Sequence, residues 1–185
     1  YYVFGAQAAI FHGVALATAD VDVTVDPGDR PTSAIASALA DHGFALRVSD
    51  EAFIAQTRVL PVTHVSGIPV DVVLAGPGLE ELFFERVVHR EVDGTRVPVA
   101  SAEDLIVMKV LAGRAKDVED VRGVLAANPE ALDLATIRET LGLLESALEQ
   151  ARAAAGDRDV RIAGGGETIL QFLNAGLVDE ISIAL

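Results

Sequence analysis

The chain has 185 residues, of which 51% are hydrophobic and 23% charged, a composition typical of globular proteins that excludes a largely disordered chain. Acidic residues outnumber basic ones by 28 to 14, and the resulting net charge of −14 disfavours non-specific binding to nucleic-acid phosphates. The absence of cysteine excludes disulfides and thiolate metal sites. A nucleic acid would need a local basic patch, and one candidate is formed by Lys109, Arg114, Lys116 and Arg122.

The start of the chain is apolar enough to raise the question of a secretion signal. Residues 1–19 contain no Lys, Arg, Asp or Glu, but they lack a basic leading segment, and Gly5 and Gly13 interrupt the apolar run. No other stretch is long enough to span a bilayer, so we expect a cytoplasmic protein without a membrane partner. Because the chain begins at Tyr1 and not at Met, we expect it to lack its natural first residues.

Hydrophobic periodicity and turn residues predict alternating strands and helices over the first hundred residues. Glycines mark many of the turns, and Asp93-Gly94 is typical of a hairpin. In chain order we predict a strand at Tyr1–Phe4, a helix at Ala6–His12, a strand at Val21–Val25, a helix at Thr32–Asp41, a strand at Phe44–Val48, hairpin strands at Arg58–Val65 and Ile68–Leu74, a helix at Leu79–Glu85 and an extended segment at Val87–Val99.

The rest of the chain is predicted to be mainly helical up to a change of pattern after Gly156. Ser101 is the expected N-cap of a helix, with Asp104 as its capping-box partner. The predicted elements are helices at Ala102–Gly113, Val118–Ala126 and Leu134–Ala154, then a strand at 160–163, a glycine loop at 164–166, a helix at 167–174 and a strand at 181–185. We therefore predict an α/β (α+β) fold with a mixed sheet flanked by helices, followed by a partial β-α-β unit, with domains at 1–145 and 146–185.

Two carboxylates, Asp20 and Asp22, are two residues apart in the pattern of a strand. Side chains at this spacing project from the same face, with Val21 and Val23 on the other. Like charges held this close raise each other's pKa unless a cation lies between them, and oxygen ligands suit Mg²⁺. The alternative is an ordinary solvated edge of a strand.

Asp71 interrupts an otherwise apolar strand, where a charge is costly unless it is paired or bound to a metal. If Asp71 lies beside the strand of Asp20 and Asp22, the three carboxylates converge and could bind metal ions for phosphoryl transfer. The alternative is that Asp71 pairs with an arginine.

The order of these motifs resembles that of the nucleotidyltransferase superfamily. Val3-Phe4-Gly5-Ala6 followed by residues 17–23 is similar to its strand, glycine turn, helix and Asp-x-Asp strand, and Asp71 falls where a third acid is expected. Residues 101–120 resemble a motif of the AbiEii/AbiGii toxin-like branch, in which a helical Lys precedes a Lys-Asp pair and a further Asp. The resemblance covers residues 1–145.

This resemblance implies an Mg²⁺-dependent transfer of a nucleoside monophosphate from an NTP to a hydroxyl of RNA, a protein or a small molecule, with an antitoxin as a further partner. Asp71 would also help to deprotonate the acceptor hydroxyl. The implied residues are Asp20, Asp22 and Asp71 for metal binding and catalysis, and Gly5, Ala6, Thr18, Lys109 and Asp117 for the nucleotide.

The chain departs from the family pattern at Ala6, where relatives have Gly or Ser, and at Leu16, where relatives often have Arg. These departures keep open a catalytically degenerate interaction module. For Lys109 the alternative is a surface lysine, and for Asp117 a solvated helix face. His12 is predicted to be a packed or turn-capping residue, and the remaining histidines show no spacing typical of metal ligands.

The C-terminal segment 146–185 resembles the RibD C-terminal reductase family, which has a dihydrofolate-reductase-like fold. By that resemblance, the residues that contact NADPH would be Gly164, Gly165, Gly166, Glu167 and Thr168, at a helix N-terminus. The alternative is a simple tight turn. Most of such a reductase is missing, so we expect no hydride transfer but a fusion, a fragment or a faulty gene assembly. An uncovered sheet edge there would favour homo-oligomers.

Overall fold

The computed structural model describes residues 1–155 and folds them around one mixed sheet. The strands are β1 (Tyr2–Phe4), β2 (Val21–Val25), β3 (Phe44–Leu46), β4 (Val59–His64), β5 (Pro69–Leu74), β6 (Val88–Val92) and β7 (Thr95–Val99). The helices are α1 (Gly5–Phe11), α2 (Thr32–Asp41), α3 (Glu51–Thr57), α4 (Leu79–Glu85), α5 (Ala102–Ala112), α6 (Ala115–Ala127) and α7 (Leu134–Ala155).

The seven strands of this region lie in the order β3-β4-β5-β2-β1-β7-β6. Strand β2 pairs parallel with β5 and antiparallel with β1, while β1 pairs parallel with β7. The remaining neighbours pair antiparallel. The predicted mixed sheet flanked by helices is therefore confirmed, and β2 and β5 become neighbours although they are far apart in sequence.

Strands β2 and β5 each present two different faces. Val23, Val72 and Leu74 belong to an apolar cluster with Ile35 of α2 and Ile54 of α3. Successive side chains of a strand alternate between its faces, so Asp22 on β2 and Asp71 on β5 project from the opposite face. The helices thus cover one side of these strands, and Asp22 and Asp71 lie on the other.

A second and larger apolar cluster joins the β1–β7 half of the sheet to the helices that follow it. Val3 and Val99 pack there with Leu105 and Val107 of α5 and with Val124 of α6. Leu16, which stands where relatives often have Arg, packs against the edge of this cluster. Because α5 and α6 share this cluster with β1, their polar faces are held at fixed positions relative to the start of α1.

Several strand and helix predictions needed revision, and α6, for example, begins at Ala115 and not at Val118. Helix α3 was not predicted, although Asp50 forms a typical N-cap whose side chain accepts hydrogen bonds from Ala52 N and Phe53 N. Strand β3 ends at Leu46 and not at Val48. Its next residue donates to Pro61 O on β4, but proline has no N–H to donate in return, so the hydrogen-bonded ladder stops there.

The capping box at the start of α5 is only half formed. Ser101 Oγ accepts from Asp104 N at 3.1 Å, as predicted. The buried Asp104 carboxylate turns instead to Arg86, which follows α4, at 3.2 Å, and Arg86 also donates to Thr140 of α7 at 3.0 Å. This network ties three helices together because a buried carboxylate needs a partner.

Helix α7 continues through residue 145, where the boundary between the two predicted domains would fall. The partial β-α-β unit and the glycine loop with Gly164, Gly165, Gly166, Glu167 and Thr168 lie outside the described residues. The domain boundary therefore stays a prediction. Among residues 1–155 no helix combines the length and apolar character required to cross a bilayer.

Candidate active site

The carboxylates of Asp22 and Asp71 belong to directly opposed residues on neighbouring parallel strands. Their Cα atoms are register partners in the pairing of β2 with β5, and neighbouring strands lie about 4.8 Å apart. Register partners project from the same face, so the two acids share the face that the α2–α3 cluster leaves free. The strand order on which the predicted convergence depended is present, and it brings Asp22 and Asp71 side by side.

Gly5, at the turn from β1 into α1, lies against the Asp22 carboxylate. Its φ of +66° favours glycine, and a Cβ atom added there would come within 2.8 Å of Asp22 Cγ. The register explains this approach, because Phe4, the residue before the turn, is the β1 partner of Asp22. A side chain at position 5 would therefore displace the carboxylate, whereas the contact of Gly5 with a nucleotide stays a prediction.

Asp20 lies just before β2 and not within it, so the same-face argument made from sequence does not apply to it directly. Its side chain instead accepts a hydrogen bond from the hydroxyl of Thr18, two residues earlier. Thr18 therefore helps to fix Asp20. The negative charge of Asp20 still acts on Asp22, which places both acids in one electrostatic environment.

The surroundings of Asp22 disfavour its ionised form. Burial, followed by repulsion from Asp20 and Asp71, raises its pKa to about 6. The positive charges of Lys109 and Lys116 act on Asp22 in the opposite direction. A carboxylate whose ionised form is disfavoured by like charges is stabilised when a cation binds beside it.

Arg47, which follows β3, is a member of the site that sequence reasoning did not find. Its guanidinium donates to Asp71 Oδ1, and its Nε donates to Val62 O of β4 at 3.2 Å. The side chain thus reaches across β4 to β5, and both partners of the ion pair are partly exposed. The alternative of an arginine partner for Asp71 is therefore also present, since Asp71 pairs with Arg47 and still lies beside Asp22.

Lys109 on α5 is buried and held by two carboxylates of α6. Its Nζ donates to Asp117 Oδ1 at 3.0 Å and to Asp120 Oδ2 at 2.6 Å. Burial lowers the pKa of Lys109, but these two hydrogen bonds outweigh it and raise the pKa overall. The lysine is not a surface residue that merely rests on an apolar helix, and Asp117 is not on a solvated helix face.

Asp117 is the centre of this network and has no exposed side-chain area. Arg114, the N-cap of α6, binds it with Nε at 2.5 Å and Nη2 at 3.2 Å. Burial raises the pKa of Asp117, but the hydrogen bonds from Arg114 and Lys109 bring it below its usual value. Asp117 therefore stays ionised and fixes the first turn of α6 against α5.

His12 is a structural residue, as predicted. It is buried and its Nε2 lies 2.8 Å from Ala100 O, while its own carbonyl accepts from Asn128 Nδ2 at 2.8 Å. Burial lowers its pKa. These contacts tie the end of α1 to the start of α5 and the end of α6, on the side of the site that carries Lys109.

The donor set of Asp20, Asp22 and Asp71 fits a hard divalent cation, because all three offer carboxylate oxygens and Asp22 gains from added positive charge. Within residues 1–155, however, no three acidic or histidine side chains are arranged closely enough to enclose a metal ion. The outer two acids are each engaged elsewhere, Asp20 by Thr18 and Asp71 by Arg47. A complete ligand set would require these side chains to turn inward.

A mixed sheet in which a glycine turn approaches one of two acidic residues on neighbouring strands places the protein in the nucleotidyltransferase class. The chain belongs to the family described as "Nucleotidyltransferase of unknown function (DUF6036)", whose model matches residues 1–141. The narrower AbiEii/AbiGii branch stays a prediction.

Two solved structures are similar to the chain at the level of the fold. One is the lincosamide antibiotic adenylyltransferase LnuA bound to lincomycin, at 12% identity and a TM-score of 0.48, over 68% of this chain and 85% of that one. The other is an antigenic nucleotidyltransferase-like protein from Paracoccidioides brasiliensis, at 15% identity and a TM-score of 0.46, over 83% and 82%. A search among curated proteins finds no match. Similarity at these TM-scores carries no assignment of substrate.

Proposed function

We propose that the chain is an Mg²⁺-dependent nucleotidyltransferase that transfers a nucleoside monophosphate from an NTP to a hydroxyl group of RNA, a protein or a small molecule. The observation that carries this proposal is the register of Asp22 with Asp71, with the backbone of Gly5 packed against the first of them. Membership of a nucleotidyltransferase family supports the class of reaction.

The reaction forms one bond and breaks another at the α-phosphorus of the NTP. The acceptor oxygen attacks this phosphorus, the bond to the oxygen that bridges the α- and β-phosphates breaks, and pyrophosphate leaves with the electron pair. The acceptor proton passes to a carboxylate, and Asp71, the third acid of the family pattern, is the candidate. A divalent cation held by Asp20, Asp22 and Asp71 would stabilise the charge that develops on the phosphate oxygens.

The other site residues position these groups. In this proposal the backbone of Gly5 and Ala6, at the turn into α1, contacts the nucleotide phosphates, while the missing side chain of Gly5 leaves room for the Asp22 carboxylate. Thr18 holds Asp20 through its hydroxyl. Asp117 holds Lys109, whose charge also acts on Asp22. In this proposal Lys109 acts on the substrate through its field and not through a direct contact.

Calorimetric titration with each of the four NTPs, with and without MgCl₂, tests the first half of the proposal. We expect one or more NTPs to bind only when Mg²⁺ is present, because three carboxylates repel a triphosphate that carries no cation. Wild-type protein that binds no NTP at millimolar concentration would contradict the proposal.

The transfer step is tested with NTPs labelled at the α-phosphate, incubated separately with total RNA, with protein and with a panel of hydroxylated small molecules. We expect the label to move to one acceptor class and pyrophosphate to appear in equal amount. The Asp22→Asn variant is the control for background hydrolysis. Label transfer that is unchanged in this variant would contradict the assigned site.

A catalytically silent interaction module is the second candidate, and one observation favours it. The ion pair between Arg47 and Asp71 satisfies the third acid without a metal. Such a module would bind neither Mg²⁺ nor NTP, so the same titrations separate the two candidates. An antitoxin partner, self-association and a place in the AbiEii/AbiGii branch stay predictions.

A further inference from the structure

Arg47 lies at the outer end of a row of residues that crosses the sheet through the acids of the site. Its backbone N–H donates to Pro61 O on β4, Pro61 is the register partner of Asp71 on β5, and Asp71 is the register partner of Asp22 on β2. The contact between the Arg47 side chain and Asp71 places the guanidinium on the face that carries both acids. Arg47 is therefore a cation in direct contact with the site.

The side chain of Arg47 uses only part of its hydrogen-bonding capacity. A guanidinium has five N–H donors in a fixed planar arrangement. Nε donates to Val62 O at 3.2 Å, and Nη2 donates to Asp71 Oδ1. The side chain is 41% exposed, which leaves other donors of the same guanidinium accessible from solvent beside the acids. The group is thus anchored through Nε on β4 and open to a ligand at its outer end.

The ion pair of Arg47 with Asp71 costs little to break. Both side chains are partly exposed, and such pairs contribute little to stability because water screens them. Lys109, the cation that the family resemblance implies for the nucleotide, is in the opposite situation. It is only 8% exposed and holds the fully buried Asp117, so moving it would leave a buried charge short of a partner. Of these two cations, Arg47 is the one available to a ligand.

We propose that Arg47 is a substrate-binding residue, whose guanidinium exchanges Asp71 for phosphate oxygens of the NTP when Asp71 binds the divalent cation. This inference rests on the proposed nucleotidyltransferase function and assigns a direct phosphate contact to a residue outside the family motifs. Asp71 accepts from one terminal nitrogen of the guanidinium, whereas a phosphate group accepts two parallel N–H groups at once. The phosphate is therefore the stronger partner once Asp71 is engaged elsewhere.

The exchange also fits the charge of the site. A triphosphate approaching Asp20, Asp22 and Asp71 meets three acids on a chain with a net charge of −14. While Arg47 is paired with Asp71, its positive charge offsets one of these acids. When a divalent cation takes over Asp71, the charge of Arg47 is released beside the place where the phosphates bind. The ion pair is then the ligand-free form of a substrate site and not the mark of a silent module.

The experiment compares Arg47→Met with Arg58→Met, which removes the same charge from an exposed pair, with Glu80, that does not involve Asp71. Calorimetry measures the binding of Mn²⁺ alone and of ATP, CTP, GTP and UTP in MgCl₂, and the melting temperature of each variant is recorded. We expect Arg47→Met to bind Mn²⁺ about threefold more tightly and the tightest NTP about tenfold or more weakly, at an unchanged melting temperature. Arg58→Met should stay within about twofold of wild type for both ligands.

These opposite shifts separate the exchange from simpler roles of Arg47. If the arginine only competed with the cation, Arg47→Met would bind both ligands more tightly. If it only supported structure, the variant would bind both more weakly and melt at a lower temperature. Either result would overturn the inference. An equal loss of NTP affinity in Arg58→Met would overturn it too, since total charge would then be the cause.

Arg47→Lys tests the geometry of the contact, because it keeps the charge but lacks the planar pair of donors. We expect it to weaken the tightest NTP about threefold, and affinity equal to wild type would contradict a bidentate contact. NTP affinity that is unchanged in Arg47→Met would overturn this inference alone. A wild-type protein that binds no NTP would overturn the proposed function as well.

Discussion

Two clusters of charged side chains in this molecule differ in whether their surroundings favour or disfavour the ionised forms. Burial, together with repulsion from Asp20 and Asp71, raises the pKa of Asp22 to about 6, so the ionised form of Asp22 is disfavoured. The cluster on α5 and α6 lowers the pKa of Asp117 and raises that of Lys109, so its ionised forms stabilise one another. Negative charge is thus in excess in the first cluster, whereas positive and negative charges offset each other in the second.

This difference indicates that ligand binding and structural stabilisation belong to different clusters of the domain. An unbalanced cluster costs stability and gains from a ligand of opposite charge, whereas a balanced buried cluster holds elements in position and gains little from a ligand. The acidic cluster is therefore the better candidate for chemistry, and the α5–α6 cluster for its scaffold. Changes to single residues should separate these two roles.

The largest expected effect is the loss of transfer activity when the central acid is neutralised. Asp22→Asn should lower the rate of label transfer on the order of 10³-fold, because it removes the ligand closest to the glycine turn. Rates are compared at saturating Mg²⁺ and NTP. The matched control is Asp26→Asn, an exposed aspartate just beyond β2 that accepts from Gly28 N, and it should keep full activity. Comparable rates in both variants would remove Asp22 from the site.

The second effect is a loss of stability without direct participation in the chemistry. Lys109→Met should lower the free energy of unfolding by about 3 kcal/mol, because it leaves Asp117 buried with one cation fewer. Denaturation in urea measures this value. Arg122→Met, which breaks an exposed pair with Glu119, should change stability by less than about 0.5 kcal/mol. Similar values for the two variants would show that the α5–α6 cluster is not the scaffold.

The third effect is a gain in stability that depends on pH. A carboxyl group whose pKa is raised on folding destabilises the native state once pH exceeds its unfolded pKa, and the cost is complete above the folded pKa. For Asp22 this window runs from about pH 4 to about pH 6, and the cost is of the order of 2–3 kcal/mol. Without metal, Asp22→Asn should therefore be more stable than wild type at pH 7.

The same comparison at low pH is its internal control. Below about pH 4 the wild-type carboxyl is protonated in both states, so the advantage of Asp22→Asn should vanish. Thermal unfolding across pH 3.5 to 8 in the presence of a chelator measures the difference. An advantage that is independent of pH would mean that the variant acts through packing and not through charge.

The smallest effect concerns the contact between Arg47 and Asp71. Arg47→Met should raise the affinity for Mn²⁺, measured without nucleotide, by about threefold, because an exposed ion pair no longer competes for the acid. Arg58→Met is the control, since it breaks a comparable exposed ion pair, with Glu80, that does not involve Asp71. Weaker Mn²⁺ binding in Arg47→Met would mean that the arginine supports the acid and does not compete with a cation.

Local sequence patterns predict most of the elements near the site. Alternation defines β2, the run Ile68–Leu74 defines β5, and Ser101 marks the start of α5, since each signal acts over a few residues. The short helix α3 was missed because its seven residues are too few for a clear period, although Asp50 was a usable signal. Local physics is thus sufficient for the elements but not for their arrangement.

The arrangement of the site depends on strand order, which local patterns do not encode. Asp22 and Asp71 meet because β5 pairs with β2 after an excursion through β3 and β4. Their meeting was expected from a family resemblance and not from spacing. Arg47 was missed for the same reason, since 24 residues separate it from Asp71 and no nearby residue hints at the contact. The pairing of Lys109 with Asp117 was within reach, because a short turn joins their helices.

The end of β3 opposite Pro61 affects how a ligand reaches Asp71. Arg47 directly follows a three-residue strand on the rim of the sheet, and within residues 1–155 this strand has one neighbouring strand. Such rims open locally at far lower cost than the interior. Local opening at the end of β3 would therefore release the Arg47 guanidinium from Asp71. The apolar cluster beneath β2 and β5 would stay intact.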